Sequence, residues 1–103
     1  MRTYDLGEVI SARQLQLVTE DGGTYPCSVE IGKPVKVADE EWICPYRVST
    51  SEKDKVFGMH GIDSMQALIL SLRTLDGEIA AMAKRFNAIP RFLDGSHETI
   101  YSP

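Results

Sequence analysis

The sequence predicts one α+β domain over residues 1–103: an antiparallel four-stranded meander, one long helix packed on one face, and short extended C-terminal segments. Three observations support this fold class. Apolar residues alternate with period two through most of the chain before Gly61, the pattern of half-buried strands. They recur with helical spacing after Asp63. A chain of 103 residues buries about 65% of its unfolded surface, which is enough for one core without a metal or a disulfide.

The first two strands are predicted to form a hairpin. Residues 24–31 (TYPCSVEI) alternate cleanly, and Pro34 ends this strand because proline donates no ladder hydrogen bond. The turn before it is predicted at residues 20–23 (EDGG), since glycine accepts a positive φ. In the preceding strand the apolar residues change parity, which predicts a bulge near Arg13 or Gln14. The residues that differ in parity are Ile10 and Ala12 against Leu15 and Leu17.

Two further strands are predicted before the helix. Residues 42–48 (WICPYRV) alternate again, and Pro45 favours a sheet edge or a bulge for this strand. A polar loop is predicted at residues 49–55 (STSEKDK). Residues 56–61 (VFGMHG) then predict a short fourth strand that leads directly into the helix.

The long helix is predicted to begin at Asp63 or Ser64 and to end by Asn87 or Pro90. Asp63 as N-cap places Gln66 at the third helical position, a capping-box arrangement worth about 1 kcal/mol. Gly77 costs roughly 1 kcal/mol relative to alanine, which makes a kink or a break there compatible with the pattern. The stripe predicted to face the sheet consists of Met65, Leu68, Ile69, Leu72, Leu75, Ile79, Met82, Ala83 and Phe86.

The other side of the helix carries unusually few charges for a solvent-facing surface. Three interpretations stay open: tolerance of small residues, cover by the C-terminal segment, or a surface for self-association or a partner. The residues assigned to this side are Ala67, Leu70, Thr74, Gly77 and Ala81. The segment that could cover them offers Ile89, Phe92 and Leu93, and continues as two short extended pieces around a turn at Asp94 and Gly95.

Charge and cysteine content limit the classes of partner. A net charge of −4 and a pI of about 5.1 argue against a nucleic-acid partner. No apolar run approaches the ~20 residues of a membrane span, and the start of the chain lacks the apolar core of a signal peptide. A cytoplasmic location without a membrane partner is therefore expected. In that compartment Cys27 and Cys44 are expected to be buried thiols rather than a disulfide.

The stretch at residues 61–68 (GIDSMQAL) is similar to the sequence around the phosphopantetheine serine of acyl carrier proteins, which would make Ser64 an attachment point. The positive end of a helix suits a phosphodiester, but the same geometry suits any capped helix start. Carriers are four-helix bundles, whereas the residues before Ser64 alternate as strands. We therefore interpret Asp63 and Ser64 as a helix start and expect no cofactor.

Other combinations of reactive residues have weak support. Cys27, Cys44, His60 and His97 could ligate a metal, but no Cys-x-x-Cys or His-x-x-x-His spacing occurs, so no metal site is expected. His60 with Ser64 or with Cys44 would be a nucleophile–base pair, which chance alone produces easily. No catalytic residues are assigned. Trp42 and Tyr46 share a strand face and form either an aromatic binding patch or, more commonly, packing beneath the helix.

Three stretches in order, IGKP, WICPYRV and GIDSMQALILSL, resemble a small bacterial domain family of unknown function with the patterns I-G-x-P, W-x-C-P-Y-R and G-x-D-S-x-Q-A-L. The resemblance covers roughly residues 8–79 and is looser in the C-terminal third. It implies a bacterial source and a strand-rich half before a helix, and it brings no activity or catalytic residue. The residues that carry it are Trp42, Cys44, Pro45, Tyr46, Gly61, Asp63, Ser64, Gln66, Ala67 and Leu68.

The leading functional hypothesis is a non-enzymatic module that binds a protein partner or itself, based on the acidic balance and the under-charged helix side. One alternative is a small-ligand binder with a pocket between sheet and helix. Another is an immunity-type inhibitor of a basic toxin, by analogy with other small acidic α+β domains. A carrier at Ser64 is the least favoured. The candidate binding residues are Trp42, Tyr46, Gln66, Leu70 and Thr74.

Overall fold

The computed structural model describes residues 4–92 and contains six antiparallel strands and one long helix. This is the α+β class that the sequence predicts, but the predicted four-stranded meander omits two strands, β3 and β6. The predicted turn at Asp94 and Gly95 lies outside the described residues. The elements are β1 (Val9–Thr19), β2 (Thr24–Gly32), β3 (Val35–Ala38), β4 (Glu41–Thr50), β5 (Asp54–Gly61), α1 (Ser64–Arg85) and β6 (Ala88–Phe92).

The sheet is organised around β4, which has partners along both of its edges. One edge pairs with β5, and the other pairs with β2 and then with β3. The last pair on β2 is Ile31 with Tyr46, and the first on β3 is Val35 with Ile43, so β2 and β3 line the same edge of β4 on either side of an interruption. Beyond β2 follow β1 and then β6, which returns from the helix to pair with β1.

Of the two positions predicted for Pro45, a sheet edge or a bulge, the sheet edge is wrong. Pro45 is buried within the central strand β4, not at a sheet edge. It pairs with Gly58 of β5 but lies opposite the interruption between β2 and β3, where no residue of those strands is its partner. The break at Lys33 and Pro34 therefore relaxes the demand for a regular ladder at the position where β4 carries its own proline.

The β1–β2 hairpin has the predicted turn but not the predicted bulge. The amide of Gly22, whose φ is 88°, donates to the Thr19 carbonyl at 3.0 Å. The register shift lies between Val9 and Ser11, and pairing with β2 continues without a break from Ser11 to Val18. No bulge at Arg13 or Gln14 is needed, because Ile10 and Ala12 are exposed.

The helix begins at Ser64, with Asp63 as its N-cap, and runs to Arg85 without a break at Gly77. Its inward stripe differs from the predicted one in the first half. Met65 is 63% and Ile69 is 40% exposed, whereas Ala67, predicted to face away, is fully buried. The core between sheet and helix consists of Leu15, Leu17, Cys27, Val29, Ile31, Cys44, Tyr46, Val48, Ala67, Leu75, Ile79, Met82 and Ala83, with Ser71 buried among them.

Candidate functional site

The start of α1 is fixed by reciprocal hydrogen bonds across its first turn. The Asp63 carboxylate accepts from the Gln66 amide at 2.7 Å, and the Gln66 side-chain oxygen accepts from the Ile62 amide at 2.8 Å. This resembles a capping box displaced by one residue, because Gln66 reaches the residue before the cap. Gln66 therefore has a structural role at the helix start, and both Gln66 and Ser64 are exposed.

Three large aliphatic residues are exposed at this helix start. Ile62 is 62% exposed, Met65 63% and Ile69 40%. Met65 and Ile69 are four residues apart and lie along one line of the helix surface, and Ile62 immediately precedes the N-cap Asp63. We refer to Ile62, Met65 and Ile69 as the aliphatic stripe. Of the exposed large apolar residues, these three are the ones that lie at or just before the start of the helix.

The exposure of the aliphatic stripe follows from how closely the helix start approaches β5. A Cβ atom placed on Gly61 would lie 2.5 Å from the backbone nitrogen of Ala67, so the helix fits only because Gly61 has no side chain. One turn later, the Ser71 hydroxyl donates to the Cys44 carbonyl at 2.6 Å. Small residues thus occupy the buried positions of the first half of α1, and the larger Met65 and Ile69 are displaced to the surface.

Charged groups lie near both ends of the aliphatic stripe. Asp63, the N-cap, lies between Ile62 and Met65, and Arg73 follows one turn after Ile69. Arg73 is exposed and has no ion-pair partner among residues 4–92. The surface is therefore apolar in the middle with an acid near one end and a base at the other.

The candidate residues predicted from the sequence do not come together in one pocket. Tyr46 is fully buried, its hydroxyl has no hydrogen-bond partner among the described residues, and burial with the nearby Glu78 raises its pKa to about 12. Trp42 is half-buried and packs against the core. Leu70 and Thr74 are half-buried, and the Thr74 hydroxyl donates to the Leu70 carbonyl at 2.8 Å. Trp42 and Tyr46 thus serve as packing beneath the helix.

The outer face of the sheet, opposite α1, is crossed by the N-terminal segment. Gly32, Pro45 and Gly58 are neighbours on β2, β4 and β5 and form a shallow trough. The Leu6 carbonyl lies over Gly32 so closely that a Cβ there would collide with it. The Tyr4 ring would be 2.8 Å from a Cβ on Gly58. The two glycines therefore make room for residues 4–8 to lie across the strands.

A cavity of about 730 Å³ lies beside this segment, between it and the β3–β4 hairpin; we call it the outer cavity. At its rim the Tyr4 hydroxyl and the His60 Nε2 atom are 3.2 Å apart, and His60 Nδ1 is 3.4 Å from the Glu41 carboxylate. His60 faces this outer side. Cys44, which pairs with Met59, faces the helix, so the Cys44–His60 pair is not assembled. The lining comprises Tyr4, Asp5, Leu6, Gly7, Glu8, Lys33, Val35, Val37, Glu41, Ile43, Pro45 and His60.

A second cavity, of about 990 Å³, opens beside the second half of α1, where the helix faces β1 and β6. Its floor includes the core residues Leu15, Ile79 and Ala83. Glu20, Asp21 and Lys84 contribute charges to its lining. Neither large cavity is lined by Trp42, Tyr46 or Gln66, so the ligand pocket predicted between sheet and helix is not one of them.

The two cysteines are buried with free thiols. Burial raises the pKa of Cys27 to about 11 and also raises that of Cys44, so both remain protonated, unreactive thiols near neutral pH. Within residues 4–92 no three His, Cys, Asp or Glu side chains cluster as metal ligands would, and His97 lies outside that range. In the same part of the chain, no helix has the length and apolar character needed to cross a membrane.

Comparison with known proteins gives one match. A family model described as a domain of unknown function (DUF6968) matches residues 11–95, a range that contains the helix and every strand except the first two residues of β1. No curated protein and no solved structure matches the sequence. The match agrees with the resemblance to an uncharacterised domain family, and the bacterial source stays a prediction.

Proposed function

We propose that this chain, which belongs to the DUF6968 family, is a non-enzymatic protein-interaction module that associates with a second copy of itself through the aliphatic stripe. The description of that family assigns no activity. The observation that carries this proposal is the exposure of Ile62, Met65 and Ile69 on one flank of the helix start. Exposed aliphatic residues scattered singly are ordinary, whereas neighbouring ones mark interaction surfaces.

The energy available from covering the aliphatic stripe supports the proposal. Burying one side chain of this size contributes about 1.5–3 kcal/mol. Half-buried Leu68 and Leu72 pack against the core, so the exposed patch is that of the three stripe residues. A partner that covers the whole patch therefore gains enough to offset much of the cost of association.

The charges at the ends of the stripe favour a second copy in an antiparallel arrangement. If Met65 packs against Ile69 of the second copy, two-fold symmetry makes the reverse contact identical. With a rise of about 1.5 Å per residue, the same register brings Asp63 to within about 3 Å, along the helix axis, of Arg73 of the second copy. The acid at one end of each stripe thus meets the base at the other end, which otherwise has no ion-pair partner among residues 4–92.

Sedimentation velocity of the full chain and of two charge variants tests this proposal. We expect the wild-type chain to sediment as a dimer at high concentration and Met65→Glu to sediment as a monomer with an unchanged circular dichroism spectrum. Ala81→Glu places the same charge on an exposed position of the opposite flank and should leave the dimer intact. A monomeric wild-type chain, or equal effects of the two variants, would contradict the proposal.

The alternative functions have less structural support. The small-ligand hypothesis required a cleft near Trp42 and Tyr46, and Tyr46 is fully buried in the core. The carrier hypothesis required a helical bundle around Ser64, whereas Ser64 here follows five strands of a six-stranded sheet. The mass of the intact chain after co-expression with a phosphopantetheinyl transferase would decide the latter. The immunity-type hypothesis stays a prediction from the acidic composition.

A further inference from the structure

The outer cavity adjoins a strand edge that has no partner. β3 pairs only with β4, and its other edge is unpaired among the described residues. All four residues of β3 are exposed, and the aliphatic Val35 and Val37 are 53% and 50% exposed at the cavity rim. An unpaired edge offers its backbone N–H and C=O groups to any extended chain of suitable shape. Here that edge stands directly beside a cavity that can receive side chains.

The walls of the outer cavity are apolar, and its charges are mainly acidic. Leu6, Val35, Val37, Ile43 and Pro45 supply the apolar surface. Three carboxylates, those of Asp5, Glu8 and Glu41, stand against one lysine, Lys33, and the histidine that pairs with Glu41. The excess of carboxylates favours a cationic group at the rim over an anionic one.

We propose that the β3 edge and the outer cavity together bind an extended segment of a partner protein that alternates aliphatic and basic residues. The segment adds to β3 as a further antiparallel or parallel strand, so that its backbone satisfies the free edge. Because side chains on one face of a strand repeat every second residue, an aliphatic side chain enters the cavity. The lysine or arginine two residues along meets Glu41 or Glu8. This site is on the opposite side of the sheet from the aliphatic stripe and goes beyond the proposed self-association.

The outer cavity also accounts for two features that the core does not require: the strand glycines Gly32 and Gly58, and the contacts of His60 with Tyr4 and Glu41. Gly32 and Gly58 let residues 4–8 form one wall of the cavity, since any side chain on either glycine would collide with that segment. The Tyr4–His60–Glu41 chain holds the end of this wall against β5 and keeps the Glu41 carboxylate near the rim. The wall and the acid are therefore positioned before a ligand binds, which reduces the entropy lost on binding.

Titration of the ¹⁵N-labelled full chain with the acetylated and amidated nonapeptide Thr-Leu-Thr-Lys-Thr-Leu-Thr-Lys-Thr tests the proposal. We expect saturable binding, with a Kd below about 1 mM, and the largest amide shifts at Val35–Ala38. The same peptide with glutamate in place of lysine should bind about tenfold more weakly or not at all. Absence of saturable binding, or shifts centred on α1, would overturn the proposal.

Two matched charge reversals locate the acidic contribution. Glu41→Lys should weaken binding of the lysine peptide about tenfold, because it reverses the charge at the rim. Glu52→Lys makes the same change in the β4–β5 loop, about 30 Å away along β4, and should change binding less than about twofold. Equal effects of both variants would mean that only the net charge matters and would overturn the site.

Backbone methylation of the peptide tests strand addition itself. A strand that adds to one edge uses the N–H groups of alternate residues. N-methylation of one of the two sets, the Thr residues or the Leu and Lys residues, must therefore abolish binding. If both methylated peptides bind as well as the parent, the edge does not pair and the proposal fails. Repeating the titration with Met65→Glu separates the two proposals, because peptide binding should persist when the stripe no longer associates.

Discussion

The two halves of α1 bury opposite kinds of residue. Residues 64–74 bury Ala67 and Ser71 and leave Met65 and Ile69 at the surface. Residues 75–85 bury large side chains, Leu75, Ile79 and Met82, and expose small ones such as Gly77 and Ala81. One continuous helix therefore packs on the sheet by close backbone approach at one end and by side-chain interdigitation at the other.

The difference teaches that distance to the sheet, rather than hydrophobicity, decides which side chains a helix buries. Where Gly61 lets the backbone of α1 approach β5, the fully buried residues are Ala67 and Ser71, while Leu68 and Leu72 are half-buried against the core. Toward Arg85 the residues that α1 buries are Leu75, Ile79, Met82 and Ala83. Residues displaced from the first contact become the aliphatic stripe, so a packing constraint creates the proposed binding surface.

The largest expected effect on the free energy of unfolding distinguishes the two halves of α1. Leu75→Ala removes a fully buried side chain from the second half and should lower the free energy of unfolding by about 3 kcal/mol. Met65→Ala removes an exposed side chain from the first half and should change it by less than about 0.5 kcal/mol in dilute solution. Urea denaturation followed by circular dichroism measures both. Equal losses would mean that the first half also depends on large side chains.

The next largest effect on the free energy of unfolding should come from the close approach of α1 to β5 at Gly61. Gly61→Ala places a Cβ atom 2.5 Å from the Ala67 backbone nitrogen, so helix and strand must separate, at a cost of about 2 kcal/mol. The same denaturation experiment measures it. If Gly61→Ala is neutral, the helix start has freedom that the short contact does not allow, and the explanation of the stripe fails.

The buried Tyr46 hydroxyl should destabilise the folded chain. Tyr46→Phe removes a polar group that has no partner among the described residues and should raise the free energy of unfolding by about 1–2 kcal/mol at neutral pH. Lower stability in the variant would indicate that the hydroxyl has a favourable interaction.

Alkaline pH should widen this difference. The folded chain raises the Tyr46 pKa from 10.0 to about 12, so the unfolded chain loses its proton first. Stability that is complete below pH 10 is therefore lost as the pH rises toward 12. Cys27, raised from 9.0 to about 11, adds a similar loss to both proteins, so the tyrosine contribution is the difference between their slopes. Parallel slopes would contradict the assigned shift.

The smallest expected effect concerns Gly77, an exposed position in the second half of the helix. A Cβ atom there would meet no other atom within 4 Å, so Gly77→Ala should stabilise the chain by about 1 kcal/mol through helix propensity alone. It is also the matched control for Gly61→Ala, since the same change should have opposite signs at the two positions. A destabilised Gly77→Ala variant would show that the helix needs glycine there for another reason.

The sequence predicts the parts of the fold that depend on local chemistry. The turn at Gly22 and the cap at Asp63 follow from preferences for positive φ and for unpaired helix amides, and both are present. The sequence favours a sheet edge or a bulge for Pro45 because a proline does not fit a regular ladder, and only tertiary structure reveals the interruption opposite it. The helix stripe was misplaced at Met65 because periodicity records hydrophobic residues and does not record how near the sheet lies.

The candidate sites were harder to predict than the fold. Tyr46 and Trp42 were recognised as packing or binding residues, and they pack. The outer cavity depends on Tyr4, Glu41 and His60, which are separated along the chain and have no motif in common. The one signal in the sequence was a pair of glycines, Gly32 and Gly58, within otherwise regular strands, since a strand glycine often marks a close backbone approach.

The two cysteines give each half of α1 its own natural reporter. Cys44 lies beneath the first half, where Ser71 binds its carbonyl, and Cys27 pairs with Leu15, which packs near Ile79 in the second half. A thiol reagent can modify either one only when the helix above it lifts from the sheet. Labelling rates resolved by peptide mass would therefore give two separate opening free energies from the unaltered chain, and would show which end of the helix detaches first.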